Sequence, residues 1–223
     1  MEGLCFDAPS YSEYMDDLNY SQGFYVTPSK DGSSMVGAIR RAGECSAASE
    51  HYVRAERAAR FAVEEHNNAA EGETGLPLKF VSIVNLNLQP SAKVIYYITM
   101  EVVDTAGEKS HYQAKVRENL CSSYRVYIFR SAPYNLKSAD KTEKNLCCTV
   151  VDNLLPWMDE SYLYYKAFYK IKHEILGIEV MRNENRGVLW FKNREESKKL
   201  LKSYIGKVMP CTNMSREFAL ISN

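Results

Sequence analysis

Histidine and cysteine are the side chains of this sequence best suited to catalysis or metal binding. The histidines are His51, His66, His111 and His173, and the cysteines are Cys5, Cys45, Cys121, Cys147, Cys148 and Cys211. No cysteine pair has the CxxC spacing, and the histidines do not have the spacing of metal ligands. The adjacent Cys147 and Cys148 favour a buried strand over a zinc knuckle. The sequence therefore predicts no metal centre and no disulfide framework.

Catalytic sequence motifs are also missing. The chain contains no GxGxxG, P-loop, GxSxG or HExxH pattern. A cysteine protease would need its nucleophile at a helix N-terminus near a base, and nothing indicates such an arrangement. We expect a non-enzymatic protein without a cofactor.

Length and charge limit the possible partners. The 223 residues are 45% apolar, enough for two domains of about 100 residues each. The 28 Lys and Arg residues balance the 28 Asp and Glu residues, so net charge indicates no partner. A basic excess after Lys141 weakly favours a polyanion. The absence of a long apolar run and of a basic, apolar leader predicts a cytoplasmic or nuclear protein without a signal peptide or membrane contact.

Hydrophobic periodicity places one helix and four strands in the first half of the chain. Residues 1–34 are acidic, rich in tyrosine and without a sustained period, which predicts a mobile arm that docks on a partner or on its own domain. From Ser49, apolar Val53, Ala58, Phe61 and Ala62 predict a helix. Strand patterns cover residues 78–88, 94–103, 111–118 and 124–130. The pattern predicts a helix lying across an antiparallel sheet.

The second half follows a polar stretch at residues 131–145 that is typical of a linker. Its predicted elements are a strand (146–151), a helix (159–171), two strands (176–181 and 188–191), a helix (194–204) and a strand (217–221). This βαββαβ order predicts a second, self-contained sandwich.

Several strings in the first half resemble the plant cystatins, which inhibit papain-like cysteine proteases. They are VGAIR (36–40), ARFAVEEHNN (59–68), QPSAK (89–93), YYITMEVVD (96–104) and YQAKV (112–116). The resemblance implies a wedge that enters a protease cleft. Its parts are an N-terminal glycine, a first hairpin of pattern Gln-x-Val-x-Gly and a second hairpin with Pro-Trp.

The residues at the wedge positions match the pattern only in part. Gly37 matches the N-terminal glycine, and the first hairpin keeps Gln89, with Pro90 and Ala92 at its variable positions. Ser91 replaces the valine, Lys93 replaces the glycine, and Leu120 and Cys121 stand in place of Pro-Trp. Glycine permits a tight turn and close approach, tryptophan supplies apolar contact, and an unpaired lysine opposes entry into a dry cleft. The sequence therefore predicts a degenerate inhibitory hairpin on a scaffold kept for stability or for another partner, with protease inhibition as the alternative.

The string LLPWMDESYLYYKAF (154–168) resembles the RNA recognition motif of plant polyadenylate-binding proteins and of the tRNA-selenocysteine-associated protein. That motif implies bases stacked on aromatic side chains of two central strands, with Lys or Arg at phosphates. Here Val150 occupies one stacking position, and Val188 or Trp190 the other, depending on the alignment. Trp190 is the best remaining contact for a base, unless it covers the sheet or meets the first domain. The candidate phosphate ligands are Arg182, Arg186 and Lys192, unless they form an ordinary solvated face.

Together these patterns predict an α+β protein. Its expected parts are an arm (1–34), a cystatin-like domain with a helix on an antiparallel sheet (35–131), a linker (132–145) and a ferredoxin-like βαββαβ domain resembling the RNA recognition motif (146–223). The predicted function is non-enzymatic binding, as a protein interaction module or adaptor. The alternatives are inhibition of a papain-like cysteine protease and binding of RNA. We expect a protein partner, and the oligomeric state stays open.

Overall fold

The fold is described from a computed structural model. It describes residues 11–27, 37–44, 48–70, 77–90, 93–119, 123–135, 147–193, 197–198, 202 and 220–222. The chain divides into two compact units, Met1–Ala132 and Pro133–Asn223. Within these described ranges, no helix is long and apolar enough to span a membrane. The same residues contain no group of three or more His, Cys, Asp or Glu side chains placed to hold a metal ion.

The first unit is built on an antiparallel sheet of five strands in the order β1-β2-β3-β4-β5. The strands are β1 (Arg40–Arg41), β2 (Lys79–Gln89), β3 (Ile95–Val103), β4 (Lys109–Glu118) and β5 (Tyr124–Ser131). A short 3-10 helix, Ala42–Glu44, follows β1. The four strands predicted from periodicity are confirmed, each within two residues at either end.

One long helix, α2 (Ala48–Ala70), packs on one face of this sheet. Its buried residues are Ala55, Ala58, Ala59, Ala62 and Val63, which recur at the spacing of one helix face. The prediction that Val53 lies on this face is wrong, because its side chain is 54% exposed. The small alanines let the helix lie close to the large strand residues Tyr96, Ile98 and Met100, whereas Val53 is at a helix position outside this buried face.

The opposite face, here called the outer face, is covered in part by residues 11–27, here called the strap. The strap begins with α1 (Tyr11–Ser21), so the prediction of no regular structure in the arm is wrong for this stretch. After α1 the chain turns through Gly23, and Phe24 and Val26 are buried against Ile39 and Tyr97. Tyr14 and Leu18 of α1 pack against the same cluster. The arm therefore adheres to its own domain over these residues.

Two buried asparagines of β2 fasten the strap to the sheet. The Asn87 amide donates to the Gly23 carbonyl at 2.9 Å, and the Asn85 amide donates to the Phe24 carbonyl at 3.2 Å. Gly23 has φ +91°, and a Cβ there would lie 2.6 Å from Cε1 of Tyr97. Only glycine meets both conditions without strain.

The second unit contains a four-stranded sheet in the order β7-β8-β6-β9. The strands are β6 (Cys147–Val151), β7 (Ile175–Met181), β8 (Arg186–Phe191) and β9 (Leu220–Ser222), and every described pairing is antiparallel. Cys147 and Cys148 lie on β6, as predicted, where they are half-buried and carry free thiols.

The single helix predicted for residues 159–171 is divided into three kinds of turn. It begins with α3 (Glu160–Tyr162), capped by the Asp159 carboxylate, which accepts from the Tyr162 backbone N–H at 2.8 Å. A π-helical stretch, Leu163–Ala167, and a 3-10 turn, Tyr169–Ile171, follow. Most of the predicted helix 194–204 lies outside the described residues.

Tyr134 shows that the second unit begins earlier than the predicted linker allows. Its side chain is 1% exposed, its hydroxyl lies 3.3 Å from Ser161 Oγ, and its carbonyl accepts from the Ile178 N–H at 2.8 Å. Burial raises the pKa of this hydroxyl well above its ordinary value. Tyr134 thus belongs to the second unit's core. Residues 136–145 of the predicted linker lie outside the described residues.

Candidate functional site

The strand register brings the two hairpins of the expected wedge to one end of the first sheet. Ile95, the first residue of β3, pairs with Gln89 on one side and with Arg117 on the other. The β2–β3 connection starts at Gln89, and the β4–β5 connection follows Glu118. Because both connections leave the sheet beside the same residue of β3, they form one edge, here called the wedge edge.

Gly37 lies at this edge too. Strand β1 pairs Arg40 with Leu88 and Arg41 with Asn87, so the chain running back from Arg40 passes the end of β2. The Gln89 side-chain amide donates to the Gly37 carbonyl at 3.2 Å. Gly37 is exposed, with φ +76° and no heavy atom within 4 Å of where a Cβ would be. The structure thus joins the first and second parts of the expected wedge by a direct hydrogen bond.

The base of the second hairpin is held from two sides. The Glu118 N–H donates to the Val94 carbonyl at 3.0 Å, and the Asn119 N–H donates to the Ser123 carbonyl at 2.7 Å. On the helix side, the Tyr96 hydroxyl donates to the Glu118 carboxylate at 2.9 Å, and Arg54 of α2 lies 3.8 Å from the same carboxylate. Burial, followed by the bond to Glu118, raises the pKa of Tyr96.

The strap fixes the segment that follows Gly37. The Ile39 N–H donates to the Tyr14 hydroxyl at 2.9 Å, and the Ile39 side chain is buried in the strap cluster with Phe24 and Tyr97. The sequence analysis did not place Tyr14 because it found no sustained helical period in the arm. Tyr14 and Leu18, one helical turn apart at positions i and i+4, are the signal that could have revealed its helix face.

Of the predicted protease-binding residues, Gly37, Gln89, Pro90 and Lys93 are described. Gln89, Pro90 and Lys93 are half-buried at the wedge edge. Ser91, Ala92, Leu120 and Cys121 lie outside the described residues, so the positions where the cystatin pattern has its valine and its Pro-Trp pair are not placed.

In the second unit, the register puts the predicted stacking positions on one face. Val150 pairs with Val188, and Cys148 pairs with Trp190, so these four side chains share a side. Leu189 and Phe191 point to the other side and are 0% and 2% exposed, as predicted for the core beneath the helices. Trp190 is half-buried, whereas Val188 is only 8% exposed. The main stacking position therefore offers little accessible surface.

Carboxylates lie beside the positive charge of Arg186 and on the face that carries the stacking positions. The Arg186 guanidinium lies 2.6 Å from the Asp152 carboxylate and 3.6 Å from that of Glu184. Glu179 is exposed and pairs with Val188, so a carboxylate shares the face with the stacking positions. Arg182 and Lys192 are exposed. A phosphate would meet carboxylates at this face, which opposes binding.

Comparison with known proteins agrees with the geometry of the first unit. Residues 43–132 match the family model of the cystatin domain. The protein named multicystatin from Solanum tuberosum is 31% identical over 101 residues, which are 45% of this chain and 12% of that protein. Cystatins inhibit proteases, which agrees with the expectation of a non-enzymatic protein. The likeness of the second unit to the RNA recognition motif stays a prediction. The first unit of this chain contains a cystatin-like domain.

Proposed function

We propose that the first unit binds the active-site cleft of a papain-like cysteine protease through the wedge edge. The observation that supports this most is the bond from Gln89 to Gly37, since it holds an exposed glycine beside the first hairpin. The pairing of Ile95 with both Gln89 and Arg117 supports it further, because the β4–β5 connection begins at the same edge. A binding surface for a cleft needs such a narrow, preformed edge.

The affinity should be weaker than that of an intact wedge. Ser91 replaces the central valine, Lys93 replaces the glycine, and Leu120-Cys121 replaces Pro-Trp. The valine and the tryptophan are the apolar anchors of the pattern. Their loss, at about 2 kcal/mol each, lowers the affinity for a protease roughly a thousandfold, from nanomolar to micromolar. The chain therefore acts as a low-affinity inhibitor. Its adaptor role, predicted from the same losses, would remain if no protease is bound.

For the second unit we propose a ferredoxin-like sandwich. In chain order its strands lie 2-3-1-4, with antiparallel neighbours, and a helical segment connects the first two. This arrangement supports the βαββαβ prediction. RNA binding is the weaker of the two inherited functions, because Val188 is buried and Arg186 is paired with carboxylates.

The test compares inhibition by two single variants of the full chain. Gln89→Ala removes the hydrogen bond to Gly37. Because one hydrogen bond contributes about 1 kcal/mol, the inhibition constant for papain should rise about fivefold. Lys79→Ala, at the opposite end of the same strand, should leave it unchanged. Equal constants for wild type and Gln89→Ala, or no inhibition by any of the three, would contradict the proposal.

A further inference from the structure

Two arginines lie directly opposite each other on the outer face of the first unit. Arg117 of β4 pairs with Arg125 of β5, and both alternate with Val116 and Val126 of the core cluster on the helix side. Like charges at directly opposed positions of an antiparallel pair destabilise a sheet. The pair of arginines therefore lowers the stability of the sheet, and a role in binding would explain its presence.

An exposed tyrosine holds the two guanidinium groups in place. The Arg125 Cζ lies 5.3 Å and the Arg117 Cζ 5.9 Å from the centre of the Tyr127 ring, and this side chain is 43% exposed. A β-bulge in β5 leaves Tyr127 as the extra residue, since Val126 pairs with Val116 and Ile128 with Lys115. Bulges re-aim side chains at binding sites. Arg117 Nε also donates to Asn119 Oδ1 at 3.1 Å, which limits its freedom further.

Neither arginine is neutralised within the part of the chain that the structure describes. Their contacts there are the Tyr127 ring and the Asn119 amide oxygen, and neither makes an ion pair with a carboxylate. Glu118, next in the chain, points to the helix side, where it binds Tyr96 and Arg54. Two oriented, unneutralised guanidinium groups on a rigid platform are a preorganised receptor for carboxylates, because each can form a bidentate pair.

We propose that Arg117, Arg125 and Tyr127 form a docking site for an acidic segment of a protein partner. Lys115, whose ammonium lies 5.0 Å from the Tyr97 ring centre, adds a third positive charge on the same face. A protein is a better fit than a nucleic acid, because the aromatic ring is occupied by the two guanidinium groups and is not a free stacking surface. The site lies at the wedge-edge end of the sheet but does not depend on inhibition.

The experiment measures binding of a fluorescein-labelled octaglutamate peptide to the full chain by anisotropy. Wild type should bind at about 20 mM salt and weaken severalfold at about 200 mM, as screened charges do. Arg125→Glu should lower affinity at least tenfold, the equivalent of one charge-assisted pair. The control Lys79→Glu makes the same charge change on the same face at the opposite end of the sheet and should change affinity less than about twofold.

A second readout separates binding from folding. Because Arg125→Glu converts a like-charge pair into an opposite-charge pair, its melting temperature should rise by about 1–3 °C while binding is lost. Arg125→Gln should give a smaller loss of affinity without a fall in melting temperature. The proposal is overturned if wild type does not bind the peptide at low salt, if both glutamate variants lose affinity equally, or if an eight-nucleotide RNA binds wild type more tightly than the peptide does.

Discussion

Gln89 illustrates what single residues of this sequence could and could not reveal. The flanking strand patterns predicted a turn beginning at Gln89, and in the structure Gln89 is the last residue of β2, paired with Ile95. Its bond to Gly37 could not be predicted, because the two residues are 52 positions apart and meet only through the pairing of β1 with β2. The same holds for Arg117 and Arg125, whose opposition depends on a register that residue types alone do not specify.

Tyr96 gives a prediction about pH. Its pKa is 10.0 without perturbation and is raised in the folded chain by burial and then by Glu118. The unfolded chain therefore ionises first, so the contribution of Tyr96 to stability is complete below pH 10 and is lost as pH rises above it. Tyr96→Phe should lower the free energy of unfolding by about 1 kcal/mol at pH 7 and make its decline between about pH 10 and 12 shallower.

Urea denaturation across this range checks the prediction. Tyr52→Phe, at an exposed position of α2, is the control for removing a tyrosine hydroxyl. A decline above pH 10 that is equally steep for wild type and Tyr96→Phe would contradict the role given to this buried hydroxyl.

At the scale of elements, α2 was predicted and α1 was not. Alanines and long charged side chains give α2 both helix propensity and a repeating apolar face. Five of the eleven residues of α1 are Asp, Ser or Asn, which favour caps and turns over helix interiors. The helix packs on the sheet through Tyr14 and Leu18, beside the buried Phe24. Tertiary contact, which a local pattern does not contain, stabilises this element.

The strap should therefore depend on the residue that lets it turn. Gly23→Ala adds a Cβ at φ +91° and 2.6 Å from Tyr97, and it should lower the free energy of unfolding by about 1–3 kcal/mol. Amide exchange at Ile39, which is bonded to Tyr14, should become faster. Gly43→Ala, where no heavy atom lies within 4 Å of the new Cβ, is the matched control. Similar losses of stability in the two variants would show that the strap is not docked as described.

For the whole molecule, the order of α2 and the four long strands of the first unit was predictable, and the boundary between the units was less so. The burial of Tyr134 was not predicted, because it lies in a polar stretch typical of a linker and a single buried aromatic residue leaves no periodic signal. The contact division falls between Ala132 and Pro133, and Tyr134 lies in the core on the second side.

Two fragments test this boundary. Residues 133–223 should unfold cooperatively, whereas residues 146–223, which begin after the predicted linker, lack Tyr134 and should be less stable by about 3–5 kcal/mol, as for truncation of a buried aromatic. Tyr134→Ala in the longer fragment should reproduce most of that loss. Equal melting temperatures for the two fragments would place the boundary after the linker.

The most direct test of the proposed function is a titration of active papain with the purified full chain. An edge that keeps Gly37 and Gln89 in place but lacks two anchors should inhibit at concentrations of about 1–10 μM, in competition with a substrate for the cleft. An absence of inhibition at about 100 μM, where a micromolar complex would be saturated, would contradict protease binding by the wedge edge.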